Sequence, residues 1–259
     1  MVRYLARRGL AAGRVAIVLV GVALGFGAGP VWAQGAAEPV VEDQVLAVFL
    51  GAAFGQPANR AGARLYRWQA PIRMRLVGQA PQRFRIWAAD QAKLLARLSG
   101  LEISQVDDID ANFLVYFVPS FDDVISGAYN DLLKRYIEDP KAIAAMLEGY
   151  RRSGAICSGQ VSARDGVLDE AIVFVPIDRL PPVVHGCIAS QMTRVLGLPF
   201  AVAPGLPSAL AMESPYSFLT RVDAFAVQLL YDQRMTVGMS VEAAAEAARR
   251  ALPALEARQ

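Results

Sequence analysis

Two cysteines, a single histidine and a few clustered carboxylates are the side chains of this 259-residue sequence best suited to bridging, ligation or catalysis. His185 is the only histidine, so no histidine cluster can form. Ser190 follows it by five residues, about 140° around a helix, so a Ser–His nucleophile pair would need an unusual bend. Ser190 and Arg194 are spaced i, i+4 and would share a helix side, opposite an apolar stripe of Ile188, Met192, Val195 and Leu196. Arg194 on that side could meet an anionic or carboxylate-bearing partner, or the pair could be an ordinary solvated face. Asp107, Asp108 and Asp110 cluster, as do Asp169 and Glu170. Paired carboxylates can perform acid–base work on glycosidic bonds, whereas a solvated acidic loop does nothing chemical. Cys157 and Cys187 make an even count, which in an oxidising compartment predicts a disulfide. Closing a loop of about 30 residues would contribute roughly 3–4 kcal/mol in the chain-entropy picture. Two buried free thiols are the alternative.

The compartment is argued from the N-terminus. Arg3, Arg7, Arg8 and Arg14 precede and flank an uncharged apolar run, Val15 to Phe26, and Val31-Trp32-Ala33 supplies the small residues of a cleavage site. Residues 1–33 are therefore expected to be a signal peptide cut near Ala33/Gln34, giving a periplasmic or secreted protein. The run is short for a membrane span and is broken by Gly25, Gly27, Gly29 and Pro30, so no span is expected after signal removal. Arg7-Arg8 leaves twin-arginine export open beside the general route. Of 26 basic side chains, four lie in that segment; without them 22 stand against 24 acidic ones. No basic face then argues for nucleic acid. The remainder suits one domain with a sizeable core.

Residues 34–44 are expected to be a flexible lead-in, followed by a helix or buried segment from Val45 to Phe54. From Ile72 the sequence alternates apolar with basic, the period of a half-buried strand. A helical pattern runs from Pro81 to Leu98 and stops at Gly100. Phe113 to Val118 is apolar enough to be a strand buried on both faces. Ser120, Asp122 and Asp123 start helical structure reaching about Arg152, interrupted near Pro140. A hairpin is predicted over 157–176, turning at Arg164-Asp165-Gly166. Further helices are expected after Pro181-Pro182, over 219–231, and in the Ala-rich tail 240–259, the last expected to pack peripherally. Alternation of helices with sheet elements, closing on a hairpin, predicts an α+β domain with a mixed sheet.

Five patches carry a family resemblance: Ala53-Phe54-Gly55; Trp68 to Arg73; the cysteine pair; Cys187-Ile188 with Leu196-Gly197-Leu198; and Leu219-Thr220 with Asp223, followed by Leu230-Tyr231-Asp232 and Gly238-Met239. In order and spacing they resemble the bacterial domain of unknown function 2927, over about residues 45–239. That family looks like a relative of the zincin metalloproteases, so the resemblance implies a zincin-like domain with a degenerate active-site helix and a C-terminal helix. Zincins grip one Zn²⁺ with two histidines of H-E-x-x-H on one helix face, the Glu acting as base. Superposing Leu196-Gly197-Leu198 on the end of such a helix puts Ser190 and Arg194 at the histidine positions, Gln191 at the Glu and Phe200 at the third ligand. The resemblance further implies carboxylates at 190 and 191 and a Gln at 194, from which this chain departs. None of the four side chains present supports zinc hydrolysis, and no metal or cofactor is expected. Met212 resembles the methionine turn beneath a zincin metal, or is simply a core or loop residue.

The function these residues predict is a catalytically inactive, metalloprotease-like binding or scaffolding module of the bacterial envelope, recognising an envelope protein or peptide. The alternative is an envelope hydrolase of peptide or glycan whose active site lies elsewhere, among the carboxylates. A partner-binding role for the Ala-rich tail is a third.

Overall fold

The structure is a computed structural model describing residues 42–56, 62–212 and 214–258. The predicted signal peptide, and the lead-in up to residue 41, lie outside the described residues. The first helix, α1 (Glu42–Phe54), begins three residues before the apolar run that predicts it. Glu42 and Asp43 fill its first turn, where acids meet the positive end of the helix dipole.

The sheet is built around β4 (Phe113–Val118), which pairs in parallel with β2 (Ile72–Val77) on one side and β6 (Val167–Pro176) on the other. β3 (Ile103–Gln105) lies parallel to β2, and β1 (Arg67–Trp68) makes a short parallel pairing with the start of β6. β5 (Ser158–Arg164) is the one antiparallel strand among the described residues and pairs along β6 opposite β4. The fold is thus a mixed α+β arrangement with a largely parallel sheet and a C-terminal helix. The predicted hairpin is β5–β6. Its turn residues Asp165 and Gly166 both have positive φ, as a two-residue turn matched to strand twist requires. A bulge at Ser162/Ala163 interrupts the register.

Helices cover both faces, and the strands show it residue by residue. Along β4, Phe113, Val115 and Phe117 enter the larger core, while Val118 enters the smaller one with Leu114 and Tyr116 packed on it. Along β6, Ala171, Val173 and Val175 face the first core and Ile172 and Phe174 the second. This two-sided burial is why both strands are apolar without alternation. β2 lies nearer the edge and buries Ile72 and Met74 while Arg73 and Arg75 stay half-exposed, hence its alternating pattern. The smaller core is closed by α3 (Phe121–Ile125), α4 (Asn130–Leu133) and α5 (Pro140–Ser153). Ser120 and Asp139 cap α3 and α5 by accepting from the backbone N–H groups of Asp122 and Lys141.

On the larger core lie α1, α2 (Gln82–Ser99), α6 (Pro181–Arg194), α7 (Arg221–Leu230) and α8 (Val241–Glu256). The Ala-rich tail is α8, and it is an integral layer: Ala244, Ala247, Ala248, Ala251, Leu252 and Leu255 are buried as it packs on α1 and α7. Small side chains let these helices approach closely. Among the described residues no helix is long and apolar enough to cross a membrane.

Ending the chain at Met239 should therefore cost more than an appendage would. Exposing the sites of Leu252 and Leu255 alone forfeits about 3–6 kcal/mol, a large part of a typical domain's stability of roughly 5–15 kcal/mol. The expected outcome, read by thermal melting, is loss of a cooperative transition.

Candidate functional site

The segment richest in motif residues is α6 with the turn after it. Pro181 and Pro182 occupy its first turn, where missing N–H groups cost nothing. Val184, Cys187, Ile188, Ala189 and Met192 are buried. Gln91 of α2, itself buried, donates to Thr193 Oγ1 at 3.2 Å. The C-terminal carbonyls of a helix lack internal partners. Here side chains distant in sequence supply them. Trp68 Nε1 donates to the Val195 carbonyl at 2.9 Å, and the Tyr231 hydroxyl donates to the Leu196 carbonyl at 2.8 Å. The Trp68 backbone N–H in turn donates to the Tyr231 oxygen at 3.2 Å. Arg67 reaches past the Tyr231 ring to the carbonyls of Leu230 and Met235, each at 3.1 Å. Gly197, at φ 119°, lies so close to β1 that a Cβ would come within 2.2 Å of the Tyr66 carbonyl oxygen.

The next loop folds back beneath the helix. Phe200 N–H donates to the Ala52 carbonyl at 3.0 Å, and its half-exposed ring lies over Gly55. Asp223 is fully buried. It accepts from Ala209 N–H at 2.8 Å, Thr220 N–H and Oγ1 at 2.9 Å each, and the Ser208 hydroxyl. Thr220 reciprocates to Asp223 N–H, forming a capping box at the start of α7. Met212 is exposed, at the end of a bridge between Val202 and Ala211.

A groove of about 450 Å³ opens where α6 meets β5. Residues 158–161 of β5, with Gln191, Arg194 and Val195 of α6, contribute to its lining. Gly159 permits the close approach, since a Cβ there would lie 2.8 Å from a Val195 methyl. The disulfide between Cys157 and Cys187 ties the start of β5 to α6 beside the same groove, as the cysteine count predicts. β5 has no strand on its second side among the described residues.

Arg194 is the sole charged residue of the groove lining among the described residues. Its Nη2 donates to the Leu210 carbonyl at 2.7 Å and Nη1 to that of Pro199 at 3.5 Å, while Nε is buried without a partner. No carboxylate lies within ion-pair distance of it among the described residues. Burial pulls its guanidinium down to about 10, with the charge of Asp223 acting the other way. Gln191 lines the groove beside it.

Of the four residues singled out from sequence, Gln191 and Arg194 share the groove. Ser190 and Phe200 are not in its lining. The Ser190 hydroxyl donates back to the Gly186 carbonyl at 2.7 Å, so it is engaged within its own helix. His185 stacks on Trp87 with ring centroids 4.6 Å apart, and burial lowers its pKa. The acidic clusters do not converge either. Asp108 pairs with Arg73 at 2.7 Å, Asp169 with Arg164 at 2.7 Å and Glu170 with Arg135 at 3.4 Å. Among the described residues no group of three or more His, Cys, Asp or Glu side chains is placed to hold a metal ion. The contribution of β5 was not foreseen; the signal available was an edge strand beginning at one cysteine and leading, through the bridge, to the other.

The family model described as "Protein of unknown function (DUF2927)" matches residues 42–250, and the chain belongs to that family. The match spans α1 through most of α8. No curated protein matches the chain.

Two measurements check this geometry. Trp68→Phe keeps an aromatic ring but strands the Val195 carbonyl and leaves a small void at this buried position, and should lower unfolding free energy by at least about 1–3 kcal/mol in urea titration. His185 has a folded pKa below its ordinary 6.5. The unfolded chain then binds the proton more readily, so its contribution to stability is complete above about pH 6.5 and declines as pH falls through the folded value. His185→Phe, which preserves the stack on Trp87, should remove that part of the slope.

Proposed function

We propose that this DUF2927 member is a binding module of the bacterial envelope, built on a zincin-like framework without the catalytic metal, and that its groove receives an extended peptide segment. The observation that carries this reading is the groove itself, in which a sheet edge lacking a strand partner among the described residues lies beside a helix bearing one amide and one cation. Main-chain groups of an edge strand can pair with an incoming strand, and side-chain pockets then select the sequence.

The zincin-like part is supported by local arrangement. Residues 181–194 are helical, lie against β5 and β6, and lead into a loop that hooks back beneath them. The four positions matched to metal ligands and base carry Ser190, Gln191, Arg194 and Phe200. A hydroxyl, an amide, a guanidinium and a phenyl ring offer neither a good zinc ligand set nor a general base. The envelope location rests on the N-terminal sequence and on the disulfide, which persists in oxidising compartments.

The test uses the oxidised protein from residue 34 onward. Backbone amide resonances of residues 158–161 should shift on adding peptides selected from a degenerate octapeptide library. Metal analysis should find no stoichiometric transition metal, and peptidase assays no chelator-sensitive hydrolysis. One tightly held transition metal per chain, with hydrolysis abolished by a chelator, would overturn the proposal.

A further inference from the structure

We infer that the ligand of this groove carries a carboxylate, supplied by an acidic side chain or a free C-terminus, which Arg194 receives. The inference rests on the peptide-binding reading above and adds to it the chemistry of recognition.

Four observations lead there. Arg194 is the single charged residue in the groove lining among the described residues, and no acid shares that lining. Its internal hydrogen bonds go to carbonyl oxygens of Leu210 and Pro199, which fix the guanidinium without neutralising it. Arg73, Arg164 and Arg234 are paired with carboxylates, whereas Arg67 and Arg85 donate to carbonyl oxygens as Arg194 does but lie outside this groove. The buried carboxylate of Asp223 is occupied by hydrogen bonds from the 208–209 turn and Thr220 and makes no ion pair with Arg194, on which its charge acts only from a distance. A positive charge held in a partly desolvated groove favours an anion over a neutral ligand more strongly than one at an open surface. The planar guanidinium suits a carboxylate in particular. The adjacent Gln191 amide can donate to a second carboxylate oxygen or to a peptide carbonyl.

The partner is an extended peptide because the same groove is lined by residues 158–161 of β5, whose second side has no strand partner among the described residues. A strand added there would bring its side chains alternately toward and away from α6. One carboxylate at the correct register suffices.

The experiment pans a degenerate octapeptide library against the oxidised protein and resynthesises each selected peptide in two neutralised forms. In one form Asp and Glu become Asn and Gln; in the other the C-terminus is an amide. Binding is followed by titration calorimetry and by the amide resonances of residues 158–161. At least one neutralisation should weaken binding tenfold or more, and which one does so separates the two sources of the carboxylate. Arg194→Met should abolish the difference between charged and neutralised forms. Because Arg194 also holds the loop, the comparison on the unaltered protein decides if that variant fails to fold. Peptides that shift residues 158–161 yet bind equally well when neutralised would overturn the carboxylate while leaving peptide binding intact. If no selected peptide shifts those residues, both readings fall.

Discussion

The arrangement depends on how the C-terminal end of α6 is finished. Helix ends inside a protein carry carbonyl oxygens that cannot be left dry and unpaired. This one is satisfied by Trp68 from the start of the sheet and Tyr231 from the end of α7, which also contact each other. Gly197 lets the chain turn against Tyr66 at a distance that excludes any side chain. One helix terminus therefore locks together three stretches, the outermost two 163 residues apart in sequence. Arg67 repeats the device at the end of α7, covering the carbonyls of Leu230 and Met235. The framework residues Trp68, Gly197 and Tyr231 thus converge on one structural problem.

That terminus sets the position of everything in the groove. Arg194 and Val195 are the last turn of α6, so their placement relative to β5 follows from the cap. The disulfide fixes the other end of the same contact, joining Cys157 at the entry to β5 with Cys187 two turns earlier in the helix. Between them Gly159 removes the side chain that would hold the helix off the strand. The loop after α6 is held from below by buried Asp223, which organises the 208–209 turn and the first turn of α7 together. The helix side of the groove is consequently held by the disulfide at one end and by the Trp68 and Tyr231 cap at the other.

Most elements were legible because their signals are local. The β5–β6 hairpin announced itself by Asp165-Gly166, α2 by its period and the stop at Gly100, and α7 by Thr220 and Asp223 three residues apart. β4 was recognisable as doubly buried from six apolar residues in succession. The very short strands β1 and β3 were not legible, since two or three residues carry no period and are held by pairing with distant strands. The same limit applied to α8. Its alanines suggest a weakly attached helix until α1 and α7 are known to lie beside it, where small side chains become the reason it fits. Within the site, helical spacing grouped Ser190 with Arg194. The groove instead joins Arg194 with Gln191, because Ser190 turns its hydroxyl back onto Gly186 and the strand that completes the groove comes from another part of the chain.

The buried guanidinium of Arg194 connects the scaffold to the site in energetic terms. Burying a cation is costly unless its donors are occupied and its charge is balanced. The carbonyls of Leu210 and Pro199 meet the first requirement in part, and by doing so they anchor the loop beneath α6. The second is met only through the more remote influence of Asp223, and burial lowers the guanidinium to about 10, which leaves it charged at neutral pH. Arg73 and Arg164 meet carboxylates at the surface, whereas Arg67, like Arg194, donates to backbone carbonyls, but Arg194 is the one that lines the groove. With no acid in the groove lining among the described residues, the guanidinium charge acts on whatever enters. The same residue therefore holds the loop in place and leaves the groove electrostatically incomplete, and those two properties follow from a single geometry fixed by the cap at Trp68 and Tyr231.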